Sequence, residues 1–360
     1  MFCKTLIVFS KQYLHRSYGG LYMIKFKPFI ALGAILFSIT LLLPAVLVLP
    51  FISERGNDTN DTPAQVTPAE NTGPSVEVSI YREEQKKIEK VDLEEYVAGV
   101  VALEMNASFE PEALKAQALA ARTYIVRRMI SQTDSGLPDG AIVGDSITYQ
   151  VYKNKAELKS TWKTGDYDWK MKKIEDAVQA TAGQILTYDG EPIDALFFST
   201  SNGYTENADD VWANSLAYLT SVESPWDKNS PKFNGKEELS IQEFESKLGV
   251  SVGSSTSIMT NVEYTKGKRI AKANISGKEL AGTDIRDKLG LKSTDFTMTR
   301  EGQNIVVTTK GYGHGVGMSQ YGANGMAAEG KTYEDIVKYY YKGVAVTDSE
   351  KLLTAYMANK

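Results

Sequence analysis

The clearest periodicity in the chain lies between Val97 and Tyr124. Val97, Val100, Val101 and Glu104 fall at i, i+3, i+4 and i+7, one face of a helix. Asp92 followed by Glu95 forms a capping pair at its start. The apolar stripe closes on a carboxylate in the last turn, away from the solvated side that carries Glu94 and Glu95. Apolar neighbours and the helix dipole both disfavour negative charge there, so the Glu104 carboxyl is expected to titrate high, as a general acid must. A helix-end glutamate paired with Lys115 or Arg122 is the competing reading of the same pattern.

Pro111 stands in the first turn of a second helix, expected to end near Met129. Alanines at 113, 116, 118, 120 and 121 let neighbours approach on several sides, so this helix is predicted to be central. Lys115 and Arg122 share one of its faces, and Gln117 and Tyr124 a nearly opposite one. Only one pair can line a cleft, and the pattern does not choose between them.

Other segments follow from their own patterns. Pro28 to Ser53 carries no charge and is long enough to span a bilayer. Five basic residues precede it, so the expectation is an uncleaved anchor over 28–52 with residues 1–27 cytoplasmic and the rest outside. Residues 1–22 look like an over-extended start, with Met23 the natural one. Residues 53–75 are polar and rich in Pro, Thr and Asn, as in a disordered tether. A folded domain over 76–349 then opens with an alternating strand at Val76. A further strand is expected over 147–152, a short helix over 174–182, and a hairpin turning at Asp189-Gly190. Residues 239–308 read as a small helix-and-hairpin lobe, helices follow Ser319, and 350–360 is a tail. Together these elements predict an α+β fold, with helices and mostly antiparallel strands around a groove.

Composition narrows the chemistry. A net charge of −5 with no basic stripe argues against nucleic-acid binding. With one cysteine, Cys3, and two histidines, His15 and His314, neither an internal disulfide nor a His/Cys zinc site is available. No cofactor is expected. Ser199 to Glu206 (S-T-S-N-G-Y-T-E) offers hydroxyls and backbone N–H groups suited to sugars, or a turn held by its own side chains. Trp212 could stack on a pyranose ring or belong to the core. Glycines alternate at 311, 313, 315 and 317 with Tyr312, His314, Val316 and Met318. As a strand, this run would show one bare face, open to a sugar chain or packed on the alanine-rich helix.

Three ordered blocks carry a resemblance. V-V-x-x-E-M followed by E-A-L-K-A-Q-A-x-A-A-R-T-Y, the loop ending G-Y-T-E, and G-Y-G-H-G-V-G-M-S-Q-x-G-A all stand here. They resemble the stage II sporulation protein D family, exported peptidoglycan lytic transglycosylases of spore-forming bacteria. Asn106 replaces the usual proline after E-M, and Asn202 replaces a glycine of the loop. Tyr321 occupies the variable aromatic place.

The resemblance implies cleavage of denuded glycan strands between N-acetylmuramic acid and N-acetylglucosamine during engulfment. Glu104 would be the acid and then the base, and the C6 hydroxyl of N-acetylmuramic acid the nucleophile, giving 1,6-anhydro ends. Substrate contacts are expected from Lys115, Gln117, Arg122 and Tyr124, from Ser199, Ser201, Gly203 and Tyr204, and from Gly313, His314, Gly315, Gln320 and Tyr321. Lys115 or Arg122 would face the lactyl carboxylate of the stripped strand. A membrane partner and a peptidoglycan amidase are the implied associates. Two other readings remain: a wall-binding scaffold, which does not need Glu104 to ionise, and a muramidase-type hydrolase. The hydrolase needs a second carboxylate, for which Glu206 and Asp209 are available.

Overall fold

The computed structural model describes residues 76–131, 136–212 and 215–359. The expected anchor and tether lie outside them. Among the described residues no helix is long and apolar enough to cross a membrane.

The fold is α+β with mostly antiparallel sheets. Strand β1 (Glu77–Arg82) pairs antiparallel with β2 (Lys87–Asp92) and parallel with β3 (Val143–Gly144). Asp92 then caps helix α1 (Leu93–Glu104), its side chain accepting the Glu94 N–H at 2.9 Å. Helix α2 (Pro111–Ser131) is the centre of the body, with alanines 113, 116, 118, 120 and 121 fully buried. Small side chains on all sides let α1, α4 (Asp166–Gln179), α7 (Gln320–Ala328), α8 (Tyr333–Tyr340) and strand β4 (Gln184–Tyr188) pack against it. Arg82 ties the first sheet to helix α3 (Lys155–Thr161), bonding Glu89 at 2.8 Å, Asp145 at 2.9 Å and Glu157 at 2.5 Å.

Several expectations change here. Residues 147–152 form turns and irregular chain. Gln150 there accepts the Tyr96 hydroxyl, and Tyr152 stacks on the Tyr96 ring. The helix expected from Ile174 starts eight residues earlier, at Asp166, because its buried face runs back through Met171. The Asp189-Gly190 turn forms with both residues at positive φ, 51° and 86°, but β5 (Glu191–Pro192) is only two residues long. The chain then leaves that pairing, and β6 (Phe197–Phe198) lies parallel to β13 (Met318–Ser319). The expected tail includes a helix, α9 (Glu350–Ala358), after β14 (Ala345–Asp348), and Leu353 is buried in the main core.

A second, smaller core contains Phe244, Ile275, Ile285, Ile305 and Val307. It is built from two sheets, β7 (Asn234–Ser240) with β12 (Asn304–Lys310) and β11 (Phe296–Glu301), and β8 (Thr260–Tyr264) with β9 (Ile270–Ile275) and β10 (Lys278–Ala281). Helices α5 (Ile241–Leu248) and α6 (Gly282–Leu289) complete it.

Candidate functional site

The three motif blocks converge where α1 ends. Glu104 is the last residue of α1, below the fully buried Val97, Val100 and Val101. Its carboxyl is raised from 4.5 to about 7, and burial is the cause, with no compensating charge. The cations expected to pair with it are engaged elsewhere. Arg122 is fully buried and grips Glu94 with two nitrogens, at 2.9 and 2.5 Å, while also bonding Val178 O, Gln184 O and Thr181. Glu94, expected on a solvated face, is thereby drawn into the body. It lies ten residues before Glu104, about 15 Å along the helix, so Arg122 braces the opposite end of α1. Lys115 pairs with Glu112 at 2.6 Å and lies over the Tyr333 ring.

The corner after Glu104 is held by the third block. Gln320 Nε2 donates to the Glu104 carbonyl at 2.9 Å and to Gln117 Oε1 at 3.3 Å. Gln117 is fully buried, and its Nε2 has no acceptor among the described residues. The Tyr321 ring packs edge-on against Phe109, and Asn324 Oδ1 accepts the Glu110 N–H at 2.8 Å. The second block joins there too, because Ser199 O accepts the Tyr321 N–H at 3.1 Å. Glu104, Gln117, Ser199, Gln320 and Tyr321 are therefore brought together. Of the two polar faces of α2, the one carrying Gln117 reaches Glu104. Tyr124, on the same side of the sequence pattern, lies farther along beside Arg128, its hydroxyl pushed up by burial.

The glycine run departs from a strand. Gly311, Gly313, Gly315 and Gly317 have φ of 83°, 117°, 89° and 80°, a left-handed alternation that coils the backbone. It packs on the second block instead of on α2. A Cβ at Gly313 would stand 2.8 Å from the Phe198 Cβ, and one at Gly315 would stand 2.6 Å from Arg269 Nε. Those two glycines are closed to a ligand on that side. His314 is neutral in this setting, its imidazolium pKa lowered to about 4 by burial and by Arg286 and Arg269 nearby. Nε2–H donates to Phe197 O and Nδ1 accepts the Val316 N–H, both at 3.1 Å. That assigns the tautomer and leaves neither nitrogen for a substrate. Its ring supports Trp212, 43% exposed, with centroids 5.3 Å apart.

Ser201 is buried and bound to a residue the sequence reading passed over. Asp227 accepts the Ser201 N–H and Oγ–H, the Ser224 Oγ–H and the Ser319 Oγ–H, at 2.5 to 2.9 Å. Burial raises its carboxyl and those four donors oppose the rise. One carboxylate thus locks the second block to the start of α7. Its signal was limited to a Ser-Pro-Trp-Asp turn. Of the hydrolase residues, Glu206 is 1% exposed and lies 3.5 Å from Arg269, with Thr265 bonded to its Oε1 at 2.9 Å, while Asp209 is exposed. Gly203 sits at an open turn, and Tyr204 lies beneath Lys268.

Comparison with known proteins places this arrangement. The chain is 49% identical to the stage II sporulation protein D of Bacillus subtilis (strain 168) over 343 residues, 93% of this chain and all of that one. The chain belongs to the stage II sporulation protein D family. The same protein of Bacillus amyloliquefaciens is also 49% identical, over 345 residues. The family model described as Stage II sporulation protein matches residues 81–188, which include Glu104 and both helices of the first block. A more distant relative is the Amidase enhancer of Bacillus subtilis (strain 168), 29% identical over 306 residues, which cover 69% of this chain and 40% of that one. Membership assigns the chain to sporulation.

Proposed function

We propose that this chain is a peptidoglycan lytic transglycosylase that cleaves denuded glycan strands during engulfment, with Glu104 as its acid and base. The observation that carries the reading is the Glu104 carboxyl itself, raised to about 7 where the three motif blocks meet. A group titrating there is protonated for a useful fraction of the time near neutral pH.

Glu104 would protonate the glycosidic oxygen as the bond to the leaving sugar breaks. As the resulting carboxylate it would accept the proton of the C6 hydroxyl, whose oxygen closes onto C1. The acid is thereby regenerated, and no water is consumed. Gln320 fixes the main chain of Glu104, and the Gln117 amide supplies a donor beside it. A hydrolase would need a second free carboxylate. Of the two candidates, Glu206 is buried against Arg269 and so is not free for that role, and the mass of the product ends decides whether the exposed Asp209 takes it.

In this reading the domain acts outside the cell, held by the uncharged segment 28–52, with its N-terminus cytoplasmic. The resemblance to an Amidase enhancer supports work beside an amidase, and a membrane partner belongs to the same reading. The test is digestion of denuded glycan by Glu104→Gln, which keeps the side chain's shape but cannot cycle a proton. Turnover is expected to fall about 10²–10⁴-fold with binding retained. Wild-type turnover in this variant would take the acid role from Glu104, and absence of turnover in the wild-type protein would leave the scaffold reading.

A further inference from the structure

With Lys115 and Arg122 occupied, the acidic groups of a stripped glycan need another counter-charge. The seam between the body and the smaller core supplies one. Tyr312 is 38% exposed, and two ammonium groups sit over its ring, Lys232 Nζ at 5.1 Å and Lys292 Nζ at 5.6 Å from the centroid. Backbone bonds hold both lysines in place, because Phe233 O accepts the Gly311 N–H at 2.7 Å and Lys292 O accepts the Gly313 N–H at 2.8 Å. Beside them, Lys268 Nζ stands 3.8 Å from the Tyr204 ring centroid. Asn202 joins the two halves. Its Nδ2 bonds Gly267 O at 3.0 Å and Asp295 Oδ2 at 2.9 Å, and its Oδ1 accepts the Tyr204 N–H at 3.2 Å. A glycine at this position could make none of these side-chain bonds.

Among the described residues no carboxylate forms an ion pair with Lys232, Lys268 or Lys292. Three unpaired cations against aromatic faces stand out in a chain of net charge −5. The ammonium groups keep N–H donors for an anion while the rings offer faces to sugars. Tyr312 exchanges two backbone bonds with Thr200, at 3.0 and 2.7 Å, and the adjacent Ser199 bonds Tyr321 beside Glu104. From Tyr312 to Tyr321 is therefore at most about 15 Å.

We infer that Tyr204, Lys268, Tyr312, Lys232 and Lys292 form a subsite for the lactyl carboxylates of the glycan strand, within a few sugars of the bond cleaved. This rests on the glycan-cleaving reading above. It makes the strand's charge a determinant of binding at a place distinct from Glu104.

The experiment measures binding of fluorescently labelled denuded glycan to the full-length protein carrying Glu104→Gln, so that no strand is cut. Adding Lys232→Gln and Lys292→Gln should weaken binding about fivefold to tenfold at low salt, and the difference should shrink at 0.5 M salt. Arginine at both positions should restore it. Glycan whose carboxyls have been converted to neutral amides should bind the parent as weakly as untreated glycan binds the double variant. Melting temperatures check that both variants are folded. Unchanged affinity in the folded double variant, or equal affinity for neutral and acidic glycan, overturns the subsite and leaves the cleavage reading intact. Failure of the parent to bind any glycan strand overturns both.

Discussion

Gln320 donates its side-chain N–H to the main-chain carbonyl of Glu104 at 2.9 Å, across 216 residues of sequence. A helix leaves its last carbonyls without intrahelical partners, so this bond closes the end of α1 and fixes where the carboxyl emerges. Gln320→Ala should destabilise the protein by about 1–3 kcal/mol, because it also leaves the buried Gln117 Oε1 without a donor. Turnover should suffer more, because a misplaced acid slows the chemical step. Steady-state kinetics should show kcat reduced with KM little changed, and a proportional loss of activity and folded protein would deny the positioning role.

Arg122 and Lys115 separate by burial. Removing the fully buried guanidinium leaves the partly buried Glu94 with only the Gly183 N–H and strips Val178 O and Gln184 O of a donor, so Arg122→Ala should cost about 3–5 kcal/mol. Lys115→Ala breaks a partly exposed pair with Glu112 and should cost less than about 1 kcal/mol. Chemical denaturation of the two variants measures the contrast. A folded, wild-type-stable Arg122→Ala would contradict the bracing role.

These two residues mark the limit of what the sequence could tell. The stripe of Val97, Val100 and Val101 is the buried face of α1, which ends at Glu104 as its period implied, because helical periodicity is local. The choice between the faces of α2 was not local. It depends on Glu94 turning inward to Arg122 and on Gln320 arriving from the far end of the chain. The glycine run could not be told from a strand, because alternation looks the same whether glycines are extended or left-handed. Its four positive φ values become necessary only once Phe198 and Arg269 crowd it. Asp227 was invisible for the same reason, since its three serine partners lie 26 residues before, 3 before and 92 after it.

His314 should reveal itself in acid. Its folded pKa of about 4 lies below the ordinary 6.5, so the unfolded chain binds the extra proton first. Stability from this group is complete above about pH 6.5 and is lost as pH falls toward 4. Protonation would also set an Nδ1–H against the Val316 N–H. His314→Gln should be less stable at pH 7 yet show a flatter loss between pH 6.5 and 4. Thermal melts across that range check it, and an unchanged slope would contradict the assignment.

Glu104 has the opposite sign. Its folded pKa of about 7 lies above the ordinary 4.5, so the folded protein holds the proton longer. Any advantage is complete below about pH 4.5 and lost as pH rises through 7. Glu104→Gln should therefore gain melting temperature relative to wild type at pH 8 and not at pH 4. The wild-type pH–rate profile should fall above about 7, with the acid deprotonated. Equal melting curves at both pH values would mean the carboxyl is not desolvated.

The most direct measurement is the mass of the product ends. Denuded glycan digested by the wild-type protein should yield fragments ending in 1,6-anhydro-N-acetylmuramic acid, about 18 Da lighter than hydrolysed ends, because one acid serves where a hydrolase needs two. The same digest with Glu104→Gln should yield almost none. Fragments with ordinary reducing ends, or anhydro ends released at the wild-type rate by Glu104→Gln, would contradict a transglycosylase built on Glu104.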